Sequence, residues 1–369
     1  MTQLTYLEAA VVGLIQGVTE LFPVSSLGHN VLIPALIGGS WARDLNVAAS
    51  ESPYLAFIVG LHVATAIALL IYFWRDWVRI VRGFFSSLRQ IARPAEGTTR
   101  WMLQSADEEL AWLIILATIP VGLAGLVFEH VFRVIFGRPV YAAVFLIING
   151  LILLAGERFR RHASLEADRQ IAAEREYARQ GVSWGHAGSY PGEGWRAARD
   201  EGWRGARGEG WHGAPGEARY ATSRRDLRLE EMDDAVESDE RLSRMGYGQA
   251  VIIGSAQVLA LLAGISRDGV TMVAGMARGL SREDAARFAF LLATPVILAA
   301  GALKIPDLMG PLGNGIHGQV VVGSVLSGVG AYVSVKYLVR YFQTRTLTPF
   351  GIYCIIAGLA SIAYLYLVR

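Results

Sequence analysis

The chain has a single cysteine, Cys354, among 369 residues, so no disulfide and no thiolate metal cluster can be built within it. Cys354 lies in the last apolar run, where a thiol serves as a small packing residue. Strong net charge is missing as well. Its 34 basic and 32 acidic side chains leave +2, too little for the electrostatic footprint of a nucleic-acid binder. The first apolar stretch, near residues 9–15, has no basic flank before it and no small-residue cleavage site after it, so it does not read as a signal peptide and is expected in the mature protein.

What the chain has in quantity is apolar sequence: 53% hydrophobic residues and a mean hydropathy of +0.37. Six runs, 54–74, 110–128, 139–156, 287–304, 318–339 and 349–368, are nearly free of charge and match the roughly 20 residues that cross a hydrocarbon core. The expected class is an all-α polytopic membrane protein. Two further stretches place ionisable and hydroxyl groups in apolar surroundings. One is Gln16-Gly-Val-Thr-Glu20-Leu-Phe-Pro23-Val-Ser25-Ser26-Leu-Gly28-His29, and the other runs from Gln257 through Gly264-Ile-Ser266-Arg267-Asp268-Gly269 to Thr271. A charge near the bilayer centre costs about 2.5 kcal/mol or more, which makes such residues functional candidates.

Short apolar arms flank each motif, 4–19 and 30–38 around the first, 248–263 and 270–277 around the second. Each set predicts a helical hairpin, 4–38 and 248–277, that enters the membrane and returns. Non-helical backbone at that depth needs protein or a water-filled cavity around it, so both tips should face the bundle interior. The motifs also align at one constant offset, Gln16 over Gln257, Ser25 over Ser266 and Gly28 over Gly269. Each half, 1–156 and 247–369, is then one re-entrant hairpin plus three spans. Three is odd, so the second half starts from the opposite side and the repeat is inverted, with a polar site near the midplane.

Residues 157–246 interrupt this pattern. They are polar, with a near-repeat in Gly194-Trp195-Arg196, Gly202-Trp203-Arg204 and Gly210-Trp211-His212. Their few aliphatic residues predict a largely disordered insertion with short helices at its edges, either touching headgroups or a partner or simply solvated. Arginines set the orientation. Arg75, Arg79, Arg82, Arg89, Arg93 and Arg100 crowd the 75–109 loop and Arg158, Arg160 and Arg161 follow the third span, which puts both on the cytoplasmic side and both termini outside.

Arg267 carries a planar fork suited to phosphate, and Ser266, Thr271 and the amides of the Gly264–Gly269 turn add donors, which together read as an anion cradle. The competing assignment is an ion pair with Glu20 that holds the two hairpins together. Glu20 and His29 flank Pro23 and supply a carboxylate and an imidazole, the usual means of activating a hydroxyl or water and of protonating a leaving group. Ser26 is either a nucleophile with His29 as its base or a hydrogen-bond donor, and one of Ser25 and Ser26 can be a helix cap. His62 is assigned to the core or a pore rather than to chemistry, and Arg278, Arg282 and Arg287 to anchoring at the cytoplasmic face.

At these residues the sequence resembles the bacitracin-resistance family of undecaprenyl-diphosphate phosphatases. The likeness also takes in Ala117-Thr-Ile-Pro120 and Phe290-Leu-Leu-Ala-Thr-Pro295, and it covers both membrane halves but not 157–246. It implies an enzyme of the bacterial inner membrane that converts undecaprenyl diphosphate to undecaprenyl phosphate, recycling the lipid carrier for cell-wall synthesis and conferring bacitracin resistance. It further implies Glu20, Ser26, His29 and Arg267 as catalytic residues and Ser25, Ser266, Arg267, Gly269 and Thr271 around the diphosphate, in a site open to the outer face. A divalent cation, magnesium or calcium, would assist. The implied partners are the polyprenyl diphosphate and the bilayer, with a homodimer as the assembly. Three positions depart from the family pattern: Gln16 stands where an acidic residue is usual, Ala263 replaces a proline and Asp268 a serine. Asp268 is expected to restore the charge missing at Gln16, so that Glu20 and Asp268 become the metal ligands, the alternative being that it signals an altered choice of substrate. The alternative is a transporter or flippase of a polyprenyl-phosphate lipid, which needs an anion site but neither nucleophile nor general acid.

Overall fold

The computed structural model describes residues 4–45, 53–92, 103, 105–136, 138–179, 224–310 and 314–368. It is all-helical in this range: α1 (Tyr6–Leu21), α2 (Ser26–Ile37), α3 (Gly39–Asp44), α4 (Pro53–Tyr72), α5 (Trp74–Ala92), α6 (Ala106–Phe136), α7 (Pro139–Arg179), α8 (Arg224–Ser243), α9 (Tyr247–Ser255), a 3₁₀ turn (Ala256–Leu261), α10 (Arg267–Ala277), α11 (Arg282–Met309), α12 (His317–Thr344) and α13 (Thr348–Leu367). Two compact units result, residues 1–161 with 234–369, and residues 162–233. In the second unit the described parts are helical, the end of α7 and the start of α8. The Gly-Trp repeat at 194–212 lies outside the described residues.

Among the described residues five helices are long and apolar enough to cross a membrane, within Ala106–Phe128, Pro139–His162, Arg282–Leu303, His317–Thr344 and Thr348–Leu367. A sixth candidate is broken: Phe57–Tyr72 and Trp74–Ala92 meet at an 85° bend. The chain is a multi-pass membrane protein. The bend corrects the expectation of a loop from residue 75, because Arg75, Arg79, Arg82 and Arg89 sit on a helix, while Arg93 and Arg100 lie outside the described residues. Trp74, Val78, Val81, Phe85 and Leu88 recur at helical spacing and are all exposed, while Ile80, Gly83 and Ser87 are buried against the bundle. A helix with an apolar stripe beside arginines suits the membrane–water boundary. The third span likewise does not stop at 156 but runs on as one helix to Arg179.

Within the first unit, α1 packs on α12, α12 on α4, α4 on α11, and α9 on α6. Glycine permits the closest of these approaches. A Cβ on Gly13 would stand 2.4 Å from the Gly323 carbonyl oxygen, one on Gly17 2.2 Å from that of Ser327, and one on Gly254 2.0 Å from that of Ala117. Small residues four apart let helix backbones touch in a bilayer, where dispersion and polar contacts replace the hydrophobic drive.

Charged pairs fasten α5, α6, α8 and α11. Arg79 reaches Asp76 and Asp239 at 2.6 Å and Asp107 at 3.3 Å. Arg287 grips Asp239 at 2.7 Å and Asp76 at 3.1 Å, and Arg282 clasps Glu157. Arg282 and Arg287, expected as anchors at the cytoplasmic face, are thus engaged in ion pairs between helices.

Candidate active site

Proline ends the first arm. The residue before a proline is pushed out of the helical region, and Phe22 is extended at φ −67°, ψ 139°, so α1 stops at Leu21. Three residues on, Ser25 takes φ 68°, the one positive-φ residue other than glycine among those described. That conformation costs an L-residue on the order of 1–2 kcal/mol, which its hydrogen bonds offset. Ser25 Oγ accepts from the Gly28 amide, capping α2, and from the Gly264 amide of the second tip, each at 3.2 Å. Ser266 caps α10 in the same way, accepting from the Gly269 amide at 3.2 Å. Gly264, at φ 114°, lies so close to α7 that a Cβ would meet the Ala142 carbonyl oxygen at 2.4 Å.

The two tips therefore touch, and one buried side chain bridges them. Asn149 on α7 donates from Nδ2 to the Pro23 carbonyl at 3.0 Å and accepts from the Ser266 amide at 2.9 Å. Sequence reading passed over Asn149, although an amide inside the otherwise apolar run 139–156 was a signal.

Glu20 is the centre of the polar cluster. Its Oε1 accepts from Arg267 Nη2 at 3.1 Å, and its Oε2 accepts from Gln16 Nε2 at 2.8 Å and from the Ser26 hydroxyl. Asn30 donates to Gln16 Oε1, holding that amide in place. His62, which the sequence assigned to the core or a pore, stands with Nε2 3.3 Å from Glu20 Oε2, and its Nδ1 lies 2.8 Å from the Ile58 carbonyl oxygen. Both nitrogens face oxygens that accept, so the ring's protons are assigned by its partners as those of an imidazolium. Arg267 also donates from Nε to Asp268 Oδ1 at 3.2 Å. Both readings of Arg267 were open in the sequence; in this structure the fork is shared between two carboxylates.

Other expected residues are placed less directly. His29 does not face Ser26, whose acceptor is Glu20. Its Nδ1 lies 2.7 Å from the Ser25 carbonyl oxygen and its Nε2 2.8 Å from the Tyr353 hydroxyl. Thr271 Oγ1 donates to the Arg267 carbonyl of its own helix at 2.7 Å, and the Gly269 amide is occupied by Ser266. Arg267 remains the side chain best able to meet an anion, beside the N terminus of α10.

Among the described residues no three His, Cys, Asp or Glu side chains gather as a metal cage. Asp268 Oδ2, however, is buried with no hydrogen-bond partner. One carboxylate oxygen in that condition fits a cation whose other ligands come from phosphate, as magnesium is commonly held.

The family model described as Bacitracin resistance protein BacA matches residues 9–187 and 223–360. The match enters the 157–246 segment from both edges, further than the motifs alone implied. Undecaprenyl-diphosphatase of Mycolicibacterium paratuberculosis is 53% identical over 364 residues, covering 99% of this chain and 98% of that protein. The protein of the same name from Mycobacterium avium is 53% identical over 365 residues, covering 99% of each. Undecaprenyl-diphosphatase 2 of Frankia alni is 50% identical over 364 residues, covering 97% of each.

Proposed function

The chain belongs to the bacitracin-resistance BacA family, and from that membership we propose that it is an undecaprenyl-diphosphatase, releasing phosphate from undecaprenyl diphosphate to recycle the cell-wall lipid carrier and so conferring bacitracin resistance. The observation that carries the residue assignment is the Ser26 hydroxyl donating to a carboxylate, Glu20, that also touches the phosphate-binding fork of Arg267. The pairing gives a nucleophile, its base and an anion site within one cluster.

In the first step Ser26 Oγ attacks the terminal phosphorus and its proton passes to Glu20. The bond from that phosphorus to the bridging oxygen breaks, and undecaprenyl phosphate departs with the electron pair. In the second step a water attacks the phosphoserine, giving its proton to His29 Nε2, while Ser26 leaves and recovers the proton from Glu20. Arg267 and His62 neutralise charge on the transferring phosphoryl, which is most of what a protein supplies to such a transition state. Glu20 and Asp268 would hold a divalent cation, which when bound adds further charge neutralisation at the phosphate oxygens.

The same proposal includes the inverted repeat, with both hairpin tips re-entrant, the site open to the outer face and the segment 157–246 on the cytoplasmic side. It is supported by the contacts of Gly13 and Gly254, which share the offset of the two motifs and press on the second long span of the opposite half, α12 and α6 respectively.

The test is phosphate release from undecaprenyl diphosphate by the full chain in lipid vesicles, with and without divalent cation, beside Ser26→Ala. Cation-assisted release that falls by about 10³-fold or more in the variant supports the assignment. Release undiminished in Ser26→Ala moves the attack to water, and lipid binding without release moves the reading to a transporter.

A further inference from the structure

His29 has both ring nitrogens engaged by the protein. The Ser25 carbonyl, 2.7 Å from Nδ1, can only accept, so Nδ1 carries the proton and Nε2 of the neutral ring holds the lone pair. The Tyr353 hydroxyl, 2.8 Å from Nε2, donates to it. The two rings are stacked, with centroids 5.8 Å apart and planes 6° from parallel. Tyr353 lies on α13, on a face where Ile352, Ile356 and Leu359 are exposed, and is itself 46% exposed against 7% for His29. Its ring meets the bilayer side while its hydroxyl turns inward to a buried imidazole.

The titratable and charged groups around α2 are few. On α1, Glu20 is committed to Gln16, Ser26, Arg267 and His62. Arg267 and Asp268 on α10 pair with one another, and α3 offers Arg43 and Asp44. Cys354, beside Tyr353, is bonded to Asn149. Among the described residues the one side chain hydrogen-bonded to the His29 imidazole is Tyr353.

We infer that Tyr353 is a positioning residue for the reaction: its hydroxyl fixes the rotation and protonation of the His29 ring, and its aromatic ring closes that side of the site to hydrocarbon. The inference rests on the reading of His29 as the acid–base group. A flip of the imidazole would carry Nδ1–H away from the Ser25 carbonyl, and the other tautomer, with its proton on Nε2, would likewise leave that carbonyl without a donor. The tyrosine prevents this by offering Nε2 a donor in return. When the hydrolytic water arrives it takes the place of the hydroxyl on Nε2, whose lone pair is already directed.

Tyr353→Phe keeps the ring, suits a lipid-facing position and removes only the hydroxyl. In vesicles carrying undecaprenyl diphosphate, the expected result is a kcat about tenfold lower, the size of one lost hydrogen bond, with KM within about twofold. The acidic limb of the kcat profile should move to higher pH by about half a unit or more, since a neutral nitrogen that has lost its donor takes up a proton more readily. An unmoved profile overturns the inference, whether kcat is unchanged or falls together with the thermal unfolding midpoint, because a merely structural contact lowers stability without displacing a titration. Absence of phosphate release by the unsubstituted protein would instead overturn the reading of the site as a phosphatase.

Discussion

At the first tip the returning helix is capped by Ser25, and at the second by Ser266, each accepting from the amide three residues on at 3.2 Å. Behind each tip a glycine, Gly13 or Gly254, brings the entering arm against the backbone of another helix. The side chains that follow are quite different. The first tip carries Glu20, Ser26 and His29, and the second carries Arg267 and Asp268. The parts in common set backbone geometry, and the parts that differ carry charge and nucleophile. The polar cluster draws on both tips.

The largest expected effect comes from removing one side of that division. Arg267→Ala should lower kcat/KM by about 10³-fold or more, and adding Glu20→Gln should cost far less than a second factor of that size, because the pair acts as a unit. Phosphate release by the single and double variants measures this; full additivity would mean that the tips work independently. Next comes the shared frame. Gly13→Leu and Gly254→Leu should each destabilise by about 3 kcal/mol or more, since a side chain cannot enter where the backbone of a neighbouring helix stands. Thermal unfolding in detergent checks both, and a large effect at only one would break the equivalence of the two arms. The caps should matter less. Ser266→Ala is expected to cost about 1 kcal/mol, as for an ordinary helix cap. Ser25→Ala should cost about twice that, because its oxygen also receives the Gly264 amide of the other tip. The smallest effect is expected at Asp268→Asn, a several-fold rise in the cation concentration needed for half-maximal phosphate release with little change in unfolding midpoint. Unchanged cation dependence would remove Asp268 from the ligand set.

Much of this was legible in the sequence because the bilayer makes polar residues conspicuous. Glu20, Ser26 and Arg267 stood out as polar groups in membrane-length apolar runs, and Pro23 marked where α1 had to stop. The partner of His62 was not legible, for a physical reason. Helix α4 is apolar nearly all round, so no face of its sequence points to a partner, and only its packing against α12 and α11 decides that the imidazole reaches Glu20. Tyr353 was hidden in the same way on α13, where a lipid-facing tyrosine is unremarkable until its hydroxyl is seen on His29. The bend at Phe73 was missed because positive charge was counted for orientation only. Its helical spacing along α5 was not weighed.

Glu20 and Arg267 hold one another at 3.1 Å. That contact has a bearing on the order of events. In the proposed mechanism a phosphate oxygen arriving at the guanidinium would displace Glu20 Oε1 and leave Oε2 on the Ser26 hydroxyl. Such a displacement would also hold down affinity for the resting substrate. A lipid confined to two dimensions is already concentrated by its own solvent, so tight capture would add little to turnover.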